Sequence, residues 1–92
     1  MHDRDRFYID IVLPEFLTFS GILLKFRIHK SRDVSDLYMK VRTEIAKINL
    51  KELGVIDVIL SLNGVLLDEK LSLINAGIIG STQIQAYYSL QK

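Results

Sequence analysis

Asp68 and Glu69 place two carboxylates side by side, and the chain holds two histidines, His2 and His29. General acid–base catalysis needs such groups to converge on one reacting atom within hydrogen-bond reach. Adjacent residues in a loop point apart, and the sequence offers no evident partner acid or base for either carboxylate. His2 sits in a polar start, and His29 ends an alternating run where a lone histidine is a solvated surface group. With no cysteine, thiolate nucleophiles, thiolate metal sites and disulfides are all excluded. No cluster has metal-ligand spacing, and the lone Gly64 and Gly80 do not form a phosphate-cradling loop. The expectation is a protein that is not an enzyme and uses no cofactor.

Ninety-two residues allow one small domain, expected over 1–92 with a flexible start at 1–6. So short a chain must be dense in apolar residues to close a core, and 49% of this one is hydrophobic. Twelve basic residues against eleven acidic ones give a net charge of +1, spread without a basic stripe, so a nucleic-acid partner is not expected. The polar MHDRDR start and the interrupting Asp10 do not make a signal peptide. A cytoplasmic protein is expected.

The elements that would position any site follow from periodicity. FYIDIVL, 7–13, alternates as a strand with Phe7, Ile9, Ile11 and Leu13 on one face and Tyr8, Asp10 and Val12 on the other. Pro14 ends it, and Gly21 closes a loop before ILLKFRIH, 22–29, a second alternating strand. Val34, Leu37, Tyr38, Val41, Ile45 and Ile48 fall at helical spacing, with Asp33 as N-cap and Asp36 adding negative charge in the first turn. Lys40, Arg42 and Lys47 lie on the opposite, solvated helix face. Gly54 stops the following LKEL stretch, and VIDVILSL, 55–62, forms a strand closed by an Asn63-Gly64 turn and a short strand at 65–67. Leu73 and Ile78 plug the core from a loop, and TQIQAYYSL closes with Ile84, Ala86 and Tyr88 opposed to Gln83, Gln85 and Tyr87.

Residues 71–91 carry no charge and are long enough to span a bilayer. Asn75, Thr82, three glutamines and three serines would each be costly in hydrocarbon, and Gly77 and Gly80 divide the stretch. It reads as an interior strand with its lead-in, so the chain is not expected to span a membrane. One helix across a mixed sheet of four to five strands gives an α+β architecture.

This order is that of the β-grasp, and NGVLLDEKLSLINAGIIGSTQIQAYY, 63–88, resembles the ubiquitin-like pattern at Gly64, Leu67, Asp68, Glu69, Leu73, Ile78 and Ile84. Within that superfamily, YIDIVLPEFLTFSGILLKFRI, 8–28, resembles the opening of the YukD/EsaB proteins of bacterial type VII secretion at Tyr8, Ile9, Asp10, Ile11, Phe16, Gly21, Phe26 and Arg27. The loop here is longer by a residue. The resemblance implies an accessory or regulatory protein of the secretion machine, with a membrane-bound secretion component as partner. The chain ends SLQK with no Gly-Gly nearby, so neither conjugation nor sulfur transfer is expected.

Ubiquitin receptors read an apolar patch on the outer sheet face, and the matching positions here are Ser61, Val65, Gln85 and Tyr87. On a β-grasp, Tyr8, Val12, Leu23, Ile59, Ser61, Val65 and Tyr87 are the candidate partner-binding residues. Phe16, Leu17 and Phe19 could cover the core or meet a partner. Two readings stay open: a secretion accessory protein, or a ubiquitin-like adaptor domain of a larger eukaryotic protein.

Overall fold

Alternation commits Phe7, Ile9, Ile11 and Leu13 to one side of the first strand, and all four are buried. In the computed structural model, which describes residues 5–91, β1 (Arg6–Leu13) pairs antiparallel with β2 (Ile22–His29) along its whole length. The strand starts at Arg6, and the Asp5 carbonyl accepts the Lys30 N–H at 2.8 Å, so residues 5 and 6 belong to the folded body. The expectation of a flexible start at 1–6 is corrected at residues 5 and 6, and residues 1–4 lie outside the described residues.

Between these strands Phe16 and Phe19 exchange backbone hydrogen bonds of 2.9 and 2.8 Å, making a small turn within the loop. Leu17 takes a φ of 51° in that turn. Phe16 and Phe19 pack against the core, whereas Leu17 is exposed. Gly21 has a φ of 84°, and a Cβ there would meet the Leu13 carbonyl oxygen at 2.9 Å, so the loop closes on a residue without a side chain.

Helix α1 (Val34–Lys47) buries Val34, Leu37, Tyr38, Val41 and Ile45 on one stripe, as the spacing predicts. Asp33 is its N-cap, with extended backbone. The side-chain bond that seals this end runs from the Asp33 N–H to Asp36 Oδ2 at 3.2 Å, a reach-back contact within the first turn. The Val34 N–H, one of the orphan donors of a helix start, finds the Leu71 carbonyl at 2.9 Å. The Leu73 N–H returns to the Arg32 carbonyl at 3.0 Å, so the loop after the fourth strand is stitched to the helix entrance.

A 3₁₀ turn (Leu50–Leu53) ends at Gly54 and leads into β3 (Val55–Leu62). Asn63 and Gly64 both have positive φ, 52° and 84°, as a two-residue hairpin turn requires. β4 then covers only Val65–Leu66, and β5 (Thr82–Leu90) completes a sheet of order β2-β1-β5-β3-β4. β5 runs parallel to β1 and antiparallel to β3, so the chargeless segment supplies the central strand. This is the expected α+β β-grasp arrangement, one helix on a five-stranded mixed sheet. Ile9, Ile11, Leu37, Val41, Leu60, Leu73, Ile78 and Ile84 are fully buried between the layers. Each such side chain contributes roughly 1.5–3 kcal/mol relative to exposure.

Candidate functional site

Strand parity assigns a face, and pairing register assigns a place on that face. On the side of the sheet away from α1, Leu23 lies opposite Val12, Val12 opposite Gln85, Gln85 opposite Ser61, and Ser61 opposite Leu66. These five residues form one row across all five strands, about 19 Å wide at the usual strand spacing. Tyr87 and Ile59 pair in the next row toward the end of β5. Tyr87 is 51% exposed and Leu66 63%, while Val12 is half-buried and Leu23 and Ile59 are exposed. None of the seven carries a charge.

The structure thus gathers Val12, Leu23, Ile59 and Tyr87 as the sequence indicates, and corrects three of the expected residues. Ser61 is on the correct face but only 4% exposed, because its small side chain sits between flanking residues on β4 and β5. Val65 pairs with Leu62, on the other side of the pleat, and Leu66 occupies the outer-face position. Tyr8 is exposed but paired with Arg27, with Asp10 and Lys25 between it and the Val12–Leu23 pair. The β1–β5 register separates Tyr8 from Tyr87 by six residue steps, about 20 Å along the strands.

What this strip can do is bury uncharged surface. Depletion of charge at the centre with aromatic and aliphatic anchors is the composition of an interface core. On one side the strip is bounded by Lys25, Asp10 and Gln83, which fall in register on β2, β1 and β5. Gln85 turns its amide along its own strand, donating to the Ala86 carbonyl at 3.0 Å.

A separate polar cluster escapes the sequence reading. Arg42 Nε donates to Asp57 Oδ1 at 2.8 Å and Nη1 to Glu69 Oε1 at 3.1 Å, while the guanidinium lies 4.9 Å from the Tyr38 ring centre. The Arg42 hydrogen bond holds the Asp57 carboxyl below its usual range, and the Val58 N–H, donating at 2.8 Å, adds to this. Asp57 and Glu69 in turn raise the affinity of Arg42 for its proton. Asp68 accepts the Lys70 N–H at 2.9 Å while Glu69 binds Arg42, so the adjacent carboxylates have different partners. The cluster ties α1 to β3 and to the loop after β4. Among the described residues no helix is long and apolar enough to cross a membrane, and no group of three or more His, Asp or Glu could hold a metal ion.

No family model matches the chain, and no curated protein matches it. Solved structures do. A designed protein based on the template of human erythrocytic ubiquitin is similar with a TM-score of 0.65 at 22% identity, over 92% of this chain and 94% of that one. A chain of the MycP5-free ESX-5 inner membrane complex is similar with a TM-score of 0.63 at 14% identity, over 96% of this chain. This protein spans 22% of that longer chain. At these identities the likeness is one of fold, and the fold is ubiquitin-like.

Proposed function

We propose that this chain is a single ubiquitin-like domain that acts without catalysis, by protein–protein contact, as a cytoplasmic accessory or regulatory component of a type VII secretion system. The observation that carries the binding role is the uncharged strip of Leu23, Val12, Tyr87, Ile59 and Leu66 across the outer sheet face. An exposed apolar-aromatic strip of this kind is characteristic of a surface that meets another protein. Support for the secretion setting comes from the fold shared with the ESX-5 inner membrane complex chain. The Tyr8-Ile9-Asp10-Ile11 opening, which resembles that of the YukD/EsaB family, points the same way. The partner in this reading is a membrane-bound secretion component.

The test is affinity capture from lysate of the source cells with membranes solubilised, comparing the protein with its Tyr87→Asp variant. Recovery of secretion-apparatus components that falls in the variant supports the proposal. Recovery of proteasomal or ubiquitin-ligase proteins instead would replace it with the adaptor reading. Equal capture by both forms would remove the outer face as the docking surface.

A further inference from the structure

The chain has three asparagines, and the structure sets one of them apart. Asn63 precedes Gly64 at the tip of the β3–β4 hairpin, and both residues are exposed. Among the described residues the Gly64 N–H has no hydrogen-bond acceptor and the Asn63 side chain has no partner. A Cβ at position 64 would meet nothing within 4 Å, so the space around this residue is open.

The other two are hindered. Asn75 precedes Ala76, whose N–H is held by the Ser72 carbonyl at 3.0 Å. Asn49 precedes Leu50, whose side chain is buried in the core and fixes its peptide unit. Glycine, by contrast, leaves the peptide unit after Asn63 free to rotate. The hairpin that carries Asn63 is closed by two residue pairs, Ser61 with Leu66 and Leu62 with Val65. Val65 and Leu66 are both exposed, so few buried contacts oppose a local opening.

We propose that Asn63 is a site of spontaneous deamidation by water, and that its isoaspartyl product removes Leu66 from the outer sheet face. The Gly64 amide nitrogen gives its proton to hydroxide and attacks Asn63 Cγ. The new N–C bond closes a five-membered cyclic imide, and the bond from Cγ to Nδ2 breaks. Ammonia leaves with a proton taken from water. Holding nucleophile and carbonyl in adjacent residues makes this step intramolecular, which is its advantage over direct hydrolysis. Water then opens the imide at either carbonyl. Opening at the side-chain carbonyl gives aspartate, and opening at the main-chain carbonyl gives isoaspartate. In both, the net change is OH in place of NH2, with ammonia released.

Either product puts a carboxylate into a hairpin that has no charged side chain from Val58 to Leu67. The charge stands two residues beyond Ser61, about 7 Å along the strand direction. Isoaspartate does more, because the main chain then runs through the former side chain and gains one carbon. The two-residue turn, with positive φ at Asn63 and Gly64, no longer fits the lengthened chain. That turn is what directs Leu66, and not Val65, to the position opposite Ser61. Nothing in this chemistry depends on the identity of a partner or on the role of the strip.

The test incubates the full folded chain in mildly alkaline buffer made with heavy-oxygen water, followed by peptide mapping with mass detection. The expected result is loss of the amide at residue 63, with solvent oxygen incorporated there, well ahead of any loss at Asn49 or Asn75. Chromatography separates the aspartyl from the isoaspartyl form, and backbone amide resonances report on each. The isoaspartyl form should show shifts concentrated at Ser61–Leu67 with the rest of the spectrum intact. The Asn63→Asp variant, which gains the charge alone, should keep the parent hairpin pattern. Equal conversion at all three asparagines, or conversion at residue 63 only in denaturant, would overturn the site. An isoaspartyl form with the same hairpin resonances as Asn63→Asp would overturn the displacement of Leu66.

Discussion

The Tyr38 hydroxyl accepts the backbone N–H of Leu60 at 2.9 Å, from a helix position 22 residues earlier in the chain. β4 is only two residues long and pairs with Ser61 and Leu62 alone, so at Leu60 the side of β3 away from β5 has no strand beside it. The phenol stands in for the missing strand, and the Leu67 N–H completes the arrangement by donating to the Leu60 carbonyl at 2.9 Å. Tyr38 is buried, so water cannot take over the role.

Tyr38→Phe keeps the ring under Arg42 and leaves the Leu60 N–H unpaired. The expected loss is about 1–3 kcal/mol, the cost of a buried unsatisfied donor. In a domain of this size each kcal/mol lowers Tm by roughly 4–8 °C. Calorimetry checks it, and an unchanged Tm would mean the phenol contributes nothing net.

Asp57 contributes to stability in a defined pH window. Its carboxyl is held below its ordinary value of about 3.9 by Arg42, so the folded state favours the charged form. That contribution is complete above the unfolded pKa and is lost as pH falls through the lower folded one. In the Asp57→Asn variant, the acid limb of a stability curve below about pH 4 should be shallower. The difference at neutral pH should stay below about 1 kcal/mol, because the pair is solvent-screened. Denaturant titrations at stepped pH provide the measurement.

Tyr88 supplies the opposite limb. Partial burial pushes its phenol up to about 12, and its hydroxyl donates to the Pro14 carbonyl at 2.7 Å. A raised folded pKa means stability fully present below about pH 10 and lost as pH climbs through about 12. Ultraviolet titration should show a late-ionising component that is lost in Tyr88→Phe. The variant should also lose stability less steeply in alkali.

Register makes the outer-face site discriminating. Leu66→Asp and Tyr87→Asp should each weaken partner capture by about thirtyfold or more if they are anchor residues, the equivalent of roughly 2 kcal/mol. Tyr8→Asp and Val65→Asp should leave capture close to the parent value. Capture assays with amide spectra as a folding control would decide it, and equal losses at all four positions would sink the strip as drawn.

The strands, the helix stripe and the Asn63-Gly64 turn were legible because period-two and helical spacing report directly on burial. Parity gives the face of Tyr8 and Tyr87 but not their distance along it, which depends on the parallel β1–β5 register. Sequence alone does not separate Val65 from Leu66, because a two-residue strand is too short to show its own alternation and the turn alone sets its phase. Parity puts Ser61 on the outer face but takes no account of how tall the neighbouring side chains are. Arg42 read as a solvated helix charge because its partners lie 15 and 27 residues further on, beyond any local pattern.

The parallel pairing of β1 with β5 also has a mechanical meaning. Ile9 faces Thr82 and Val12 faces Gln85, with both strands pointing the same way. A pull applied at Arg6 and Leu90 therefore slides one strand along the other instead of peeling them apart. Every rung between them takes load together, whereas a hairpin drawn open at its free end yields rung by rung. The centre of the sheet is built to hold under tension.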